Sequence, residues 1–226
     1  MKRKMVNDLK ISKNLKYFIP LIFLLALDVM LIVVDVINFY DPFPNADRYD
    51  IETNDSYAED FQNFKWIIMI IALSLIALFR KEKKYLAWIL VFFFLFLEDV
   101  FRIHQTLGMF FYDAFGMTSG QRESKIMELF SAAFLGFLFV APVLQAYKTG
   151  DPVFKKHSRV LFGLLGLFLF CAIIIDQLHR LAIIQYNWKY NVVFGMLEDG
   201  GELITESLIA GYLISIALKE KQKAQS

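Results

Sequence analysis

Apolar residues come in six long runs, separated by short polar segments whose charge alternates. The runs cover residues 17–39, 65–79, 85–112, 125–147, 160–184 and 192–218. A helix needs about 20 mostly apolar residues to cross a bilayer. The pattern therefore predicts an all-α, polytopic bundle of six transmembrane helices, with residues 1–226 forming a single integral membrane domain. The second run is short for a crossing. Either it extends back into the acidic segment before it, or Arg80 and Lys81 reach out to the interface.

Lys and Arg occupy alternate connections. They fill the N-terminal stretch (Lys2, Arg3, Lys4, Lys10, Lys13, Lys16), the segment Arg80-Lys81-Glu82-Lys83-Lys84, the segment with Lys148, Lys155, Lys156 and Arg159, and the C-terminal Lys219, Lys221 and Lys223. Residues 40–64 are instead acidic, with Asp41, Asp47, Asp50, Glu52, Asp55, Glu59 and Asp60 against Arg48. Basic loops stay on the cytoplasmic side. The expected placement is a cell membrane, with both termini cytoplasmic and residues 40–64 outside, positioned to form either a lid or a solvated connector.

Composition agrees with this reading. The chain is 57% hydrophobic with a mean hydropathy of +0.47, too apolar for an ordinary soluble domain. A net charge of +1 gives no bulk attraction for nucleic acid, so the lipid bilayer is the expected partner. The single cysteine, Cys171, excludes an intrachain disulfide and a cysteine-based zinc knuckle.

What stands out is acid inside the apolar runs. Asp28, Asp35, Glu98, Asp99, Asp176, Glu198, Asp199, Glu202 and Glu206 all lie there, and only Arg102 and Arg180 are read as fixed cations beside them. Carboxylates are costly in hydrocarbon and mark ion paths or sites. At a rise of about 1.5 Å per residue, Glu98 lies roughly 20 Å from the cytoplasmic end of its helix. Asp35, Asp176 and Glu202 lie at about 25–29 Å by the same rise. Four helices thus bring acids to one depth, in the outer half of the bilayer. Glu98 and Arg102, four apart, can pair, as can Asp176 and Arg180, while Glu198, Glu202 and Glu206 form a ladder on one helix face. Gly200-Gly201 interrupts that ladder and permits either local unwinding or close helix approach.

Three chemistries suit this set. Histidine with carboxylates from facing helices suits a divalent transition metal (zinc, iron or manganese), with Glu98, Asp99, His104, Asp176, His179, Glu198 and Glu202 as candidate ligands. Such a metal would activate water for hydrolysis of a lipid or lipid-linked substrate. Intramembrane acids also suit a proton- or cation-coupled transporter. Finally, the ion pairs can simply steady a non-catalytic scaffold. The sequence leaves open whether the chain is an enzyme.

The stretch Leu97-Glu98-Asp99-Val100-Phe101-Arg102-Ile103-His104-Gln105 resembles an acidic pair followed by Ile-His-Glu in a loose group of uncharacterised bacterial multi-pass membrane proteins, with Gln105 where that group has Glu. Leu197-Glu198-Asp199-Gly200-Gly201-Glu202-Leu203 is similar to the late Glu-Glu-x-x-Glu helix of the same group. The resemblance implies no activity, but it singles out His104. The alkaline ceramidase and adiponectin receptor superfamily is an analogy only: it uses three histidines including a late His-x-x-x-His pair, which this chain lacks.

The orientation has a direct check. Asn54→Cys should react with an impermeant thiol reagent applied to intact cells. Labelling only after permeabilisation overturns the outward placement of residues 40–64.

Overall fold

The computed structural model describes residues 16–116, 121–179 and 191–225. The helices are α1 (Ile19–Tyr40), α2 (Tyr57–Arg80), α3 (Tyr85–Phe101), α4 (Ile103–Ala114), α5 (Gln121–Thr149), α6 (Pro152–Leu169) and α7 (Asn191–Ala224). No strand occurs among the described residues. Five helical stretches are long and apolar enough to cross a membrane: Ile19–Tyr40, Tyr57–Arg80, Ile126–Thr149, Pro152–His179 and Val193–Ala224. They are compatible with a multi-pass membrane protein.

Two predicted spans change. The second begins eight residues earlier than its apolar run, at Tyr57. Ser56 caps it by accepting a hydrogen bond from the Glu59 N–H at 3.2 Å, and Glu59 and Asp60 sit where the helix dipole favours acids. The span thus recruits the acidic segment and carries Lys65 to its interior. The third, expected as one helix over 85–112, is two. Arg102 adopts left-handed dihedrals (φ 47°, ψ 50°), ending α3 after 17 residues and starting α4 in a new direction. Six single-helix spans are therefore reduced to five, with α3 and α4 as a broken pair. Of the fifth predicted span, residues 180–184 lie outside the described residues.

α7 is the hub. It packs on α2, α1 and α6, while α2 also packs on α3, and α4 lies against α5 beside α3. The main core joins Trp66, Met69, Leu73 and Ile76 of α2 to Tyr85, Trp88 and Phe92 of α3, Phe154, Leu161 and Leu165 of α6, and Ile209 and Leu213 of α7. Large apolar side chains on the outward faces, such as Phe23, Val33, Ile71, Phe93 and Phe137, are exposed, as lipid contact requires.

The basic connections gather at one end. The Tyr17 hydroxyl donates to Gln222, and Arg80 reaches Asp151 at 2.7 Å and Glu220 at 3.5 Å. The start of α1, the end of α2, the start of α6 and the end of α7 therefore share a face. Asp151 caps α6 through the Phe154 N–H at 2.6 Å, with Pro152 in its first turn. His157 sits within α6, half-buried, its Nδ1 2.7 Å from the Tyr85 hydroxyl.

Candidate functional site

An ammonium group lies at the centre of the bundle. Lys65 is completely buried on α2, and its Nζ donates to Asp28 Oδ1 of α1 at 3.2 Å and to the Leu203 carbonyl of α7 at 2.7 Å. Glu206 Oε2, also on α7, lies 3.1 Å from the same nitrogen. Both acids are buried as fully as the lysine. The face of Phe61 covers the ammonium at 4.9 Å, one helical turn away on α2. This triad corrects the reading that Arg102 and Arg180 are the only fixed cations among the acids. The missed residue is Lys65, which the hydrophobic pattern places at the edge of a span.

From the triad a column of carboxylates runs along α7 away from the basic end. Glu206, Glu202 and Glu198 follow at single-turn intervals, each about 5–6 Å from the next at its Cβ. Asp99 of α3 lies beside both Glu206 and Glu202, and the Trp66 indole N–H faces Asp99. Asp199 neighbours Glu198, Glu52 and Asp176. Asp99 Oδ2 is buried with no hydrogen-bond partner among the described residues, so the column carries more polar capacity than its own groups satisfy.

Helix irregularities set two histidines, His104 and His179, each beside a glutamate. The break at Arg102 changes the helical phase, so that the His104 ring nitrogen and its backbone N–H both meet the Glu98 carboxylate, the latter at 3.2 Å. On an unbroken helix the six-residue spacing would set the two residues on different faces. The same break removes the expected Glu98–Arg102 pair: Arg102 still lies one turn beyond Glu98, but in the left-handed region, and its side chain approaches Glu59 at 4.0 Å instead. The second pairing follows a π-helical stretch, Phe170–Ile175, which extends α6 to His179. His179 Nδ1 lies 2.7 Å from Glu198 Oε2, and its ring stacks on Phe194. Such π segments often accompany functional sites. The expected Asp176–Arg180 pair lies outside the described residues at Arg180.

α7 passes unbroken through Gly200-Gly201. Of the two expectations for that pair, close approach is the one seen: a Cβ at Gly201 would lie 2.7 Å from Cys171 Sγ in the π stretch.

The acidic segment lies over the end of the column farthest from the basic connections. Ile51 is buried with Ala58 and Leu203, against Leu31 and Ile32 of α1, and its N–H donates to Asp35 at 3.3 Å. Glu52, the next residue, rests on Gly195 of α7, where any Cβ would overlap its carboxylate. Loss of water around Glu52 raises its carboxyl above the ordinary 4.5, and the neighbouring His179 offsets part of that rise.

Of the seven candidate ligands, the structure joins Glu98 to His104 and His179 to Glu198. It places Glu202 and Asp99 together in the column, and Asp176 beside Glu198 and Asp199. Among the described residues, no group of three or more His, Cys, Asp or Glu side chains is arranged to hold a metal ion.

These features define a helical membrane-type bundle with a buried lysine–carboxylate centre. The chain belongs to the family described as a domain of unknown function (DUF8692), whose model matches residues 62–216. No curated protein and no solved structure matches it.

The triad makes a prediction. Lys65→Met strands two buried acids beside each other and should cost about 3–5 kcal/mol. Adding Asp28→Asn and Glu206→Gln removes the stranded charges and should restore most of that loss. Melting of the purified variants in detergent gives the comparison, and a triple variant no more stable than the single one contradicts the burial argument.

Proposed function

We propose that the protein carries protons through the column on α7, alone or coupled to a second solute, as a multi-pass cell-membrane transporter. The observation that carries this reading is the triad, in which two buried acids share one buried lysine and a line of further carboxylates leads away from it. One cation balances one carboxylate. The second needs an exchangeable proton, and Glu206, adjoining the ladder, is the group to take it. Lys65 holds the acid-bearing helices α1 and α7 together. Glu202, Asp99 and Glu198 then pass the proton outward, toward His179 and Glu52. Beyond Ser207, from Ile209 to Ala217, the buried face of α7 is apolar, with Ile209, Ala210, Leu213, Ile216 and Ala217 buried. That stretch closes the column toward the basic end, so carriage requires a second conformation, as alternating access does.

In this reading α3 and α4 together make the sixth crossing. It brings both termini to the cytoplasmic side, in keeping with their shared face and the basic connections.

The test is proton uptake into proteoliposomes under an imposed potential. Wild-type protein should acidify the lumen, and Glu206→Gln should lower the rate at least tenfold while melting normally. A folded wild type that moves no protons, or a Glu206→Gln variant at full rate, leaves the triad as a structural clamp and favours the scaffold reading.

A second reading draws on the His179–Glu198 pair that bridges α6 and α7 near the outer mouth. It assigns the outer mouth a divalent transition metal for hydrolysis of a lipid or lipid-linked substrate. Purification without chelators should then retain zinc, iron or manganese, and His179→Ala with Glu202→Ala should release it. A metal-free wild type removes this reading and leaves the proton reading untouched.

A further inference from the structure

A second charged feature lies at the opposite end from the acidic mouth. A cleft of about 440 Å³ opens between the start of α1 and the end of α7, lined by Lys16, Tyr17, Leu218, Lys221, Gln222 and Gln225. Its floor is aromatic. The Lys16 ammonium lies 5.0 Å from the Tyr17 ring centroid, and the Lys219 ammonium lies 5.2 Å from the same centroid. One ring thus gathers two cations, which repel each other. Lys16 Nζ also donates to Gln222 Oε1 at 3.4 Å, as does the Tyr17 hydroxyl.

Among the described residues, most of this charge has no carboxylate beside it. Lys223 has Glu220 at 2.7 Å, and Glu220 is shared with Arg80. Lys16, Lys219 and Lys221 have no carboxylate partner among the described residues. The ammonium groups of Lys16 and Lys221 in the lining, with that of Lys219 against the Tyr17 ring beside it, suit an anion with several acceptor oxygens. Immediately beside the cleft, α1 exposes Phe18, Ile19, Ile22 and Phe23 in sequence toward the bundle middle. Those side chains offer an apolar track for an acyl chain whose head is held in the cleft.

We propose that this cleft binds the phosphate headgroup of an anionic phospholipid, with the acyl chains lying along the exposed face of α1. Basic pockets beside membrane helices take such headgroups, and their attraction adds to that of the bilayer surface. The site is separate from the proton column and stands or falls independently of it. Its three lysines supply charge, and Tyr17 with Gln222 shapes the floor. A free phosphate shares the headgroup chemistry but gains nothing from the apolar track, and this difference separates the two sources.

The full-length chain, released from nanodiscs of mixed phosphatidylglycerol and phosphatidylcholine into a native mass spectrometer, reports retained lipid directly. Wild-type protein should retain phosphatidylglycerol in preference to phosphatidylcholine. The variant Lys16→Gln, Lys219→Gln, Lys221→Gln should retain about tenfold less. A control, Lys81→Gln, Lys83→Gln, Lys156→Gln, removes equal charge from exposed positions elsewhere and should retain phosphatidylglycerol as wild type does. All six positions carry surface side chains, and unchanged melting verifies that both variants fold. Three outcomes overturn the proposal: no preference in the wild type, equal loss in the control variant, or displacement of the lipid by millimolar inorganic phosphate.

Discussion

Everything near the centre of this bundle is arranged around one buried ammonium. An amine in hydrocarbon is tolerated only where each of its protons finds a partner and its charge finds an opposite. Lys65 meets both needs with three groups from two neighbouring helices: Asp28 of α1, and the Leu203 carbonyl and Glu206 of α7. These contacts lock the register of α1, α2 and α7, because sliding any of them by one turn would strand a charge. The rest of the packing follows. Leu203, whose carbonyl binds the lysine, turns its side chain into the small cluster that receives Ile51 from the acidic segment. The buried ion site and its cover therefore share one residue of α7.

The second organising feature is departure from regular helix. α3 breaks at Arg102 and α6 loosens into a π stretch at Phe170–Ile175, and each irregularity delivers a histidine to a glutamate that regular helical phase would not supply in the same way. Regular helices place side chains only at fixed angular steps, so contacts between side chains six residues apart on one segment require a change of direction. Backbone strain of the kind at Arg102, a non-glycine residue at φ 47°, persists where surrounding contacts hold it. Here the Arg102 N–H binds the Glu98 carbonyl at 2.7 Å and the Glu98 side chain accepts from His104. The acidic pair therefore both ends its helix and anchors the next.

Much of this was legible from the chain. Hydropathy and the alternation of basic and acidic connections outline the helices, and the run of carboxylates at helical spacing on α7 marks the column. Lys65 escaped because hydropathy weighs a residue by its sequence neighbours: with Asn63 before it and an acidic segment before that, it reads as the polar edge of a span. Its partners come from 37 and 141 positions away, and no local pattern reports them. The break at Arg102 escaped for a different reason. Neither glycine nor proline marks it, and Arg is at home in a helix. The only trace is the resemblance that singled out His104, at a spacing which helical phase alone discounts. Gly200-Gly201 misleads in the opposite direction, since paired glycines suggest unwinding but serve here to let α7 approach the π stretch of α6.

The limits of the family match sharpen the account of the triad. The matched region, residues 62–216, contains Lys65 and Glu206 but not Asp28, which lies on α1. Within that region the lysine and Glu206 form a neutral pair, which satisfies burial and needs no proton. Asp28 adds a second negative charge from outside it. With two acids on one ammonium, full ionisation leaves a net charge of −1 buried among helices, and burial opposes that state. In the proposed reading, a proton at the triad resolves the conflict, and its departure along the α7 carboxylates restores it. On that proposal the exchangeable proton follows from docking α1 against the matched helices, because α1 supplies the second acid beside the Lys65–Glu206 pair.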